Sequence, residues 1–441
     1  MKRFALFLAA LAVTTTAMAA DEVEFKHSGD FRVRYFNDIN STGAESSGQK
    51  SDTTGRFKWN ISARKGEKLQ GYLSLIHNSQ FGAQATYSGD YDTATTNNLF
   101  LVNRAWGWWK ATESLSFKVG RFGIEFGDGS IFAENDWDNY ATAHEGLLAS
   151  WDWEFARLAL AGIKTHDFPQ TLTTAAPNDP ERNVYLLIAD VKNVPEAIKL
   201  ANIHLVQVRS EANAAAGATL TEQNFLQYGL TVGGDVSNFL YKGTFSLQNG
   251  SFNKTAALDQ KINASMFDVM LGYQMPETMG LKISVGYHMD SGDDAAGAAG
   301  TGDKKTYQAP YFDNHNYAGL MDVVDWGNLT YYNVNASLMI AEDLELGAGY
   351  YMFSRTSADA LPTPGKNTRS NITKYATAAE VAEGEKALGS ELDVFTNKSY
   401  DGGIKIGARF GLFMPGAYWK DGEAKRDKNL MDFMLQGSIP F

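Results

Sequence analysis

The sequence predicts an all-β chain closed into a transmembrane, antiparallel up-and-down β-barrel of about 18 strands, with long loops at one rim and short turns at the other. Three observations carry that expectation. From Asp432 to Phe441 apolar side chains fall at Phe433, Leu435, Ile439 and Phe441, every second position except Gly437, so the chain closes on a one-faced strand and a terminal aromatic. Lys2 and Arg3 precede an apolar run from Phe4 to Val13, and Ala17-Met18-Ala19 is a small-x-small cleavage site, which together predict a signal peptide over 1–19. Past residue 20 no run of 18 or more apolar residues occurs, so helical spans are not expected.

Composition agrees. The chain has no Cys, which excludes both a lipidated amino-terminal cysteine and a disulfide framework. Its net charge is -12, and loss of Lys2 and Arg3 with the signal peptide takes it to -14. No nucleic-acid partner is expected, because phosphate contacts need a basic surface. The 42 Gly, 12% aromatics and only 10 Pro suit many strands joined by tight turns. A length of 441 residues would accommodate two or three soluble domains, and equally one barrel domain over 20–441.

Period-2 alternation places the strands, because successive residues face opposite sides. In Arg56 to Arg64 the odd positions Phe57, Trp59, Ile61 and Ala63 are apolar and the even ones polar. Phe239, Tyr241, Phe245 and Leu247 alternate with Lys242, Thr244, Ser246 and Gln248; Leu281, Ile283, Val285, Tyr287 and Met289 alternate with Lys282, Ser284, Gly286, His288 and Asp290. The same test gives strands at 25–37, 54–65, 69–79, 98–111, 115–124, 144–152, 154–165, 183–192 and 199–210. It continues at 224–233, 237–248, 262–274, 280–290, 328–340, 343–355, 390–398, 403–413 and 428–441.

Connections after even-numbered strands are short, as in Gly66-Glu67-Lys68, Thr112-Glu113-Ser114, Gly234-Asp235-Val236 and Ala341-Glu342. Those after most odd-numbered strands are long: 38–53, 80–97, 125–143, 166–182, 291–327, 356–389 and 414–427. That alternation is the pattern of outer-membrane barrels and puts both termini on the periplasmic side. A soluble β-sandwich or jelly roll would instead turn the apolar faces inward. Three stretches are irregular: Trp153 runs on past the 144–152 strand, the facing of Val102 to Lys110 is open, and Gly120-Arg121 suggests a bulge. Lys374 to Leu388, rich in Ala and Glu, predicts a short helix in an outer loop.

No P-loop, HExxH, G-x-S-x-G or dinucleotide fingerprint occurs, and none of the seven His is spaced as a metal-ligand pair, so no enzyme, cofactor or metal centre is expected. The chemistry lies in the lumen. If Phe57, Trp59 and Ile61 face lipid, then Arg56, Lys58 and Arg64 face inward, because a Lys or Arg on the lipid face costs ~2–4 kcal/mol at the midplane. The same logic turns Arg32, Arg34, Lys118, Arg157, Lys242, Lys282, Lys405 and Arg409 inward, with Arg104 and Arg121 added as pore-lining candidates. Inward acids are fewer: Asp268, Asp290 and Glu345. Such a basic wall attracts anions; alternatively its charges pair with lumenal acids and select nothing.

The 125–143 loop, carrying Asp128, Glu134, Asp136 and Asp138 with glycines that permit sharp re-entry, is the candidate constriction. Its acids do not have EF-hand spacing, and a solvated acidic loop is the simpler reading than a Ca²⁺ site. Asp290 to Asp303, rich in Gly, Ala and Asp, reads as a flexible tip.

Three stretches resemble the alginate-export family of outer-membrane porins: Val119 to Trp137 (VGRFGIEFGDGSIFAENDW), Tyr311 to Asp322 (YFDNHNYAGLMD), and Gly389 to Asp393 (GSELD) with Phe413 to Gly416 (FMPG). The resemblance implies an 18-stranded monomeric barrel passing anionic solutes or polysaccharide through an Arg-lined pore. The expected function is a passive porin for small hydrophilic, anionic solutes; the alternatives are a dedicated exporter of an acidic, alginate-like polysaccharide and a surface barrel that mediates adhesion without transport. The expected partners are outer-membrane lipid and lipopolysaccharide, the barrel-assembly machinery through Phe441, and the solute itself.

Overall fold

Alternating side chains leave each strand with two unlike faces, and in the computed structural model these strands join into one closed sheet. It describes residues 23–40, 43, 48–81, 100–167, 181–210, 222–254, 259–298, 300, 302–309, 311–313, 315–364, 384–421 and 425–441. The expected signal peptide, 1–19, lies outside the described residues, as do positions 374–383 of the expected loop helix.

The first nine strands are β1 (Val23–Ile39), β2 (Gln49–Lys65), β3 (Leu69–Gln80), β4 (Leu101–Lys110), β5 (Leu115–Phe122), β6 (His144–Asp152), β7 (Ala156–Asp167), β8 (Glu181–Val191) and β9 (Ile198–Ser210). The rest are β10 (Glu222–Val236), β11 (Phe239–Lys254), β12 (Asp259–Met275), β13 (Leu281–Asp290), β14 (Leu329–Ala341), β15 (Leu344–Arg355), β16 (Ala387–Ser399), β17 (Lys405–Pro415) and β18 (Leu430–Pro440). Each pairs antiparallel with its sequence neighbour, and β18 pairs with β1 from Asp30↔Pro440 to Ile39↔Met431, giving an 18-stranded barrel without an edge. Every predicted strand is present, with ends shifted by a few residues.

The carboxy-terminal residue completes the seam. Phe441 exchanges backbone hydrogen bonds with Gly29, 2.8 Å and 3.0 Å long, and its ring stacks on Phe57 with centroids 5.6 Å apart. Gly29 has to be glycine, because a Cβ there would run into the Phe441 ring and the Lys58 carbonyl.

Facing follows the predicted parity on β1 and β2. Phe31, Tyr35 and Trp59 are exposed on the outer face, whereas Arg32, Arg34 and Arg56 are buried inside at 6%, 5% and 3% exposure. On β4 the open facing resolves through a register shift at Asn103, which places both Asn103 and Arg104 inside. Trp106 and Trp108 then face the lumen, Trp106 stacked on Tyr72 at 5.0 Å, while Val102 and Trp109 point out. The bulge expected at Gly120-Arg121 is absent: β5 keeps its register with both neighbours, and Gly120 absorbs the local twist at φ 123°. Trp153 lies beyond β6 in the turn before β7, where it stacks on Phe155.

Strands β7 to β9 are apolar on both faces. Leu160, Tyr185 and Leu205 are exposed outside, and Ala161, Ile163, Val184, Leu186, Val206 and Val208 are buried inside. That inner apolar wall needs cover, and the long connections supply it. Phe126, Ile131 and Phe132 of the β5–β6 connection and Phe312, Met321 and Trp326 of the β13–β14 connection form one core with it. Burying such a side chain is worth roughly 1.5–3 kcal/mol, so both connections fold into the barrel. Within Asp290 to Asp303 the described residues make specific contacts. Ala295–Ala298 forms a helical turn, and Asp293 accepts from the amides of Lys305 and Thr306 and pairs with Lys304 at 2.5 Å.

The facing makes a direct prediction. Val285 is half exposed on the outer face of β13 and Ser284 faces in, so Val285→Arg should lower unfolding stability in lipid by ~2–4 kcal/mol while Ser284→Arg changes it little. Denaturant titration of both variants in bilayers checks this; a larger loss for Ser284→Arg would mean the sheet is turned the other way.

Candidate functional site in the barrel lumen

The inward side chains of β1 and β2 form a cationic ledge on which the β5–β6 connection rests. Arg32 donates to the carbonyls of Asp136, Trp137 and Asp138 at 3.0–3.1 Å and to Asn139 Oδ1 at 3.1 Å. Arg34 donates to the Trp137 carbonyl and to Gln436 Oε1, both at 2.6 Å. Arg56 pairs with Asp30 at 2.8 Å and Asp136 at 3.1 Å, and Lys58 reaches the same Asp136 oxygen at 3.0 Å. Burial opposes ionisation of Asp136, but Arg56 and Lys58 outweigh it and hold the carboxyl below its usual range.

Of the other expected loop acids, Glu134 and Asp128 engage other cations. Glu134 pairs with Arg104 at 2.6 Å. Asp128 crosses the lumen to Lys242 on β11 at 2.9 Å, and Asp138 contributes its main-chain carbonyl to Arg32.

At the centre stands Trp137. The Arg34 guanidinium lies 3.8 Å over its ring and that of Arg409 4.7 Å. His315, from the β13–β14 connection, stacks flat on it at 3.5 Å and 9°. Arg409 also pairs with Asp432 at 2.9 Å and donates to His315 Nε2 at 3.3 Å. Since an arginine only donates, His315 Nε2 accepts and Nδ1–H donates to Asp322 at 3.0 Å, which is the neutral tautomer. Burial, then Arg409 and Arg34, hold the His315 pKa well below 6.5.

A second anchor holds the β13–β14 connection. Glu391 and Asp393, inward on β16 and almost fully buried, accept from the amides of Met321 at 2.9 Å and Leu320 at 3.1 Å. His288 sits between Asp268 and Asp290, 3.2 Å from each, and is stacked between Trp326 and Tyr331. Asp290 also accepts from the amides of Gly327 and Leu329.

The remaining sequence candidates lie away from this cluster. Lys118 is half-buried on the inner wall with its ammonium 4.7 Å over Trp106. Arg157, Lys282 and Lys405 have inward parity and are exposed near the short-turn rim, Arg157 in register with Asp152 and Asp190. Arg64, at the same rim, folds back onto the Gly66 carbonyl at 3.0 Å, and Glu345, inward there too, accepts from Asn397. Arg121 is the exception. It shares the outward parity of Phe117 and Val119 and pairs with Glu145 on the outer face at 2.6 Å, so it does not line the pore.

Sequence reasoning missed Trp137, His315, Asp322, Glu391, Asp393 and Asp432. Alternation of Glu391 and Asp393 with Leu392 and Val394 would have turned both acids inward. Trp137 and His315 stand in irregular loops, where no period operates.

A family model described as alginate export matches residues 27–431. No curated protein sequence matches the chain. Among solved structures it is similar to the Pseudomonas aeruginosa proteins OccK9 (OpdG), at 12% identity and TM-score 0.61 over 95% of this chain and 99% of that one, and OccK11 (OpdR), at 12% identity and TM-score 0.60 over 95% and 96%. It is also similar to OccK2 (OpdF) in complex with glucuronate, at 11% identity and TM-score 0.58 over 95% and 98%. These likenesses establish a shared fold. With the family matched over nearly its whole length and the barrel closed at 18 strands, the chain belongs to the alginate export family and is an outer-membrane β-barrel channel.

Proposed function

We propose that the channel passes small hydrophilic solutes passively and prefers anions, with the ledge of Arg32, Arg34, Arg56 and Lys58 and the docked loop bearing Asp128, Glu134, Asp136 and Asp138 as its selecting constriction. One observation carries this reading. Arg32 and Arg34 are held by carbonyl and amide oxygens, acceptors without net charge, so the direct ion pairs of the ledge's four cations involve two carboxylates, Asp30 and Asp136, and the ledge keeps a positive excess. Arg56, Lys58, Arg104, Lys242 and Arg409 instead face carboxylates and contribute less field. Lys118, Arg157, Lys282, Lys405 and Arg64 would draw anions through the rim on the short-turn side. A carboxylated sugar such as glucuronate is a fitting probe solute. We also assign Phe441 as the residue read by the barrel-assembly machinery, and lipopolysaccharide as the lipid around the long-loop rim.

The family description favours a second reading, export of an acidic polysaccharide. Deletion of the gene separates the two: loss of matrix with unchanged small-solute uptake supports export, and slower glucuronate uptake with matrix intact supports the porin. A channel silent in bilayers would leave the surface role.

Selectivity is testable at one residue. A unit charge ~6 Å from an ion in water-like surroundings is worth about 0.7 kcal/mol, or roughly threefold in occupancy. In planar bilayers under a KCl gradient the wild type should be chloride-selective, and Arg34→Gln should lower chloride permeability roughly threefold while raising that of potassium; a cation-selective wild type defeats the proposal.

A pH effect follows from loop docking. His315 is neutral when docked because its pKa is depressed, whereas released it protonates near 6.5. The released state therefore binds more protons, and docking weakens as pH falls through that window, by up to ~1.4 kcal/mol per unit. Asp136, also depressed, adds the same sign at still lower pH, below the ordinary carboxylate value. Channel conductance should become larger and noisier between pH 7.5 and 5, and His315→Gln should flatten the change; a quieter channel at pH 5 would reverse the sign.

A further inference from the structure

We propose that a strip of the inner wall running from β13 to β17 binds uncharged, hydroxyl-rich solutes of the neutral pyranose class, a second track apart from the cationic ledge; this rests on the channel reading but not on anion preference. One device, used four times, builds the strip. Gly286 on β13 pairs across the sheet with Asn333 on β14, and Gly349 on β15 with Asn335. Gly347 pairs with Phe395 on β16, and Gly407 on β17 with Asn397. At each glycine the partner's side chain takes the place of the missing Cβ, a carboxamide oxygen three times and the distal edge of the Phe395 ring once. A larger residue would push those groups off the wall into the lumen.

The choice of groups points to the occupant. Elsewhere on the inner wall Gly146 and Gly229 are set against the backbone carbonyls of Gly162 and Phe245, and packing alone would be met by any apolar cover. Here the covers are three carboxamides and an aromatic ring. A sugar ring has C–H faces that pack on an aromatic face, and its rim of hydroxyls both donates and accepts. Each carboxamide answers with two N–H donors and an acceptor. Asn335 and Phe395 are half-buried and Asn397 is exposed, so the strip meets the open lumen. Four strand intervals of ~4.8 Å make it about 19 Å wide, room for a short oligosaccharide lying across the strands.

Charge selects the uncharged class. Glu345, the cross-strand partner of Asn397, faces inward and accepts from its Nδ2 at 3.1 Å. A carboxylate accepts from hydroxyls and repels a second carboxylate. Arg409, the partner of Phe395 on β17, reaches instead to Asp432, opposite Gly411, and to the Trp137 ring. Lys282 and Lys405 lie nearer the short-turn rim.

Single-channel recording of the full-length protein in planar bilayers tests this with maltotriose as the neutral probe. Maltotriose should interrupt the KCl current saturably, and the block should persist in about 1 M KCl because no ion pair holds the sugar. A polyethylene glycol of equal mass should lower conductance only in proportion to its concentration. Phe395→Ala should weaken the block roughly fivefold and Phe395→Tyr should keep it, both with the chloride-to-potassium permeability ratio of the wild type; Asn335→Leu should weaken it with the ring intact. Arg34→Gln should do the reverse, altering that ratio and sparing the block. A cation-selective wild type that maltotriose still blocks defeats the anion reading alone and supports the strip. Absence of saturable block, equal block by the glycol, or a block unchanged in Phe395→Ala overturns the proposal.

Discussion

In hydrocarbon no water is available to satisfy a peptide group, and each unpaired N–H or C=O costs several kcal/mol. The seam between β1 and β18 is therefore the constraint on which the molecule depends. Its ladder from Asp30 to Ile39, with the extra pair between Gly29 and Phe441, removes the only edges a sheet of this kind could expose. Once the sheet is closed, strand parity leaves no freedom. Phe31, Tyr35, Phe57 and Trp59 meet lipid, and Arg32, Arg34, Arg56 and Lys58 are enclosed together although they come from a protein of net charge -12.

Enclosing four cations in one patch has a consequence of its own. Buried charges need partners, and desolvating several like charges together is costly. The β5–β6 connection provides those partners through the Asp136 carboxylate and a run of main-chain carbonyls, while Trp137 offers its ring faces to Arg34 and Arg409. The opposite wall works by packing, since the inner faces of β7 to β9 are apolar and take up Phe126, Phe132 and Trp326. One connection thus bridges a polar and an apolar wall, and the proposed constriction is held in place by side-chain contacts with almost no regular secondary structure in it.

The barrel was legible in the sequence because alternation, turn length and the terminal strand all report the same period of two. The loops were not, because their order comes from tertiary contacts. Tyr311 to Asp322 and Gly389 to Asp393 stood out only as family-like motifs, and the structure explains them physically: the amides of Leu320 and Met321 dock on Asp393 and Glu391. Likewise Ala133 of the first motif donates its amide to the Tyr311 carbonyl, and the Tyr317 hydroxyl donates to the Asp128 carbonyl. Arg121 was misplaced for the opposite reason. The cost of a cation on the lipid face argues for an inward Arg121, yet parity with Val119 puts it outside, at the end of a short strand and beside Glu145.

Thiol labelling along β2 tests the central claim most directly. With single cysteines placed in turn at Phe57, Lys58, Trp59, Asn60, Ile61 and Ser62 in the otherwise cysteine-free chain, a charged, membrane-impermeant maleimide should modify the three even positions and spare the odd ones, which only a lipid-soluble reagent should reach. The reverse pattern, or equal labelling at all six, would contradict an apolar surface turned to lipid around a hydrated, cationic lumen.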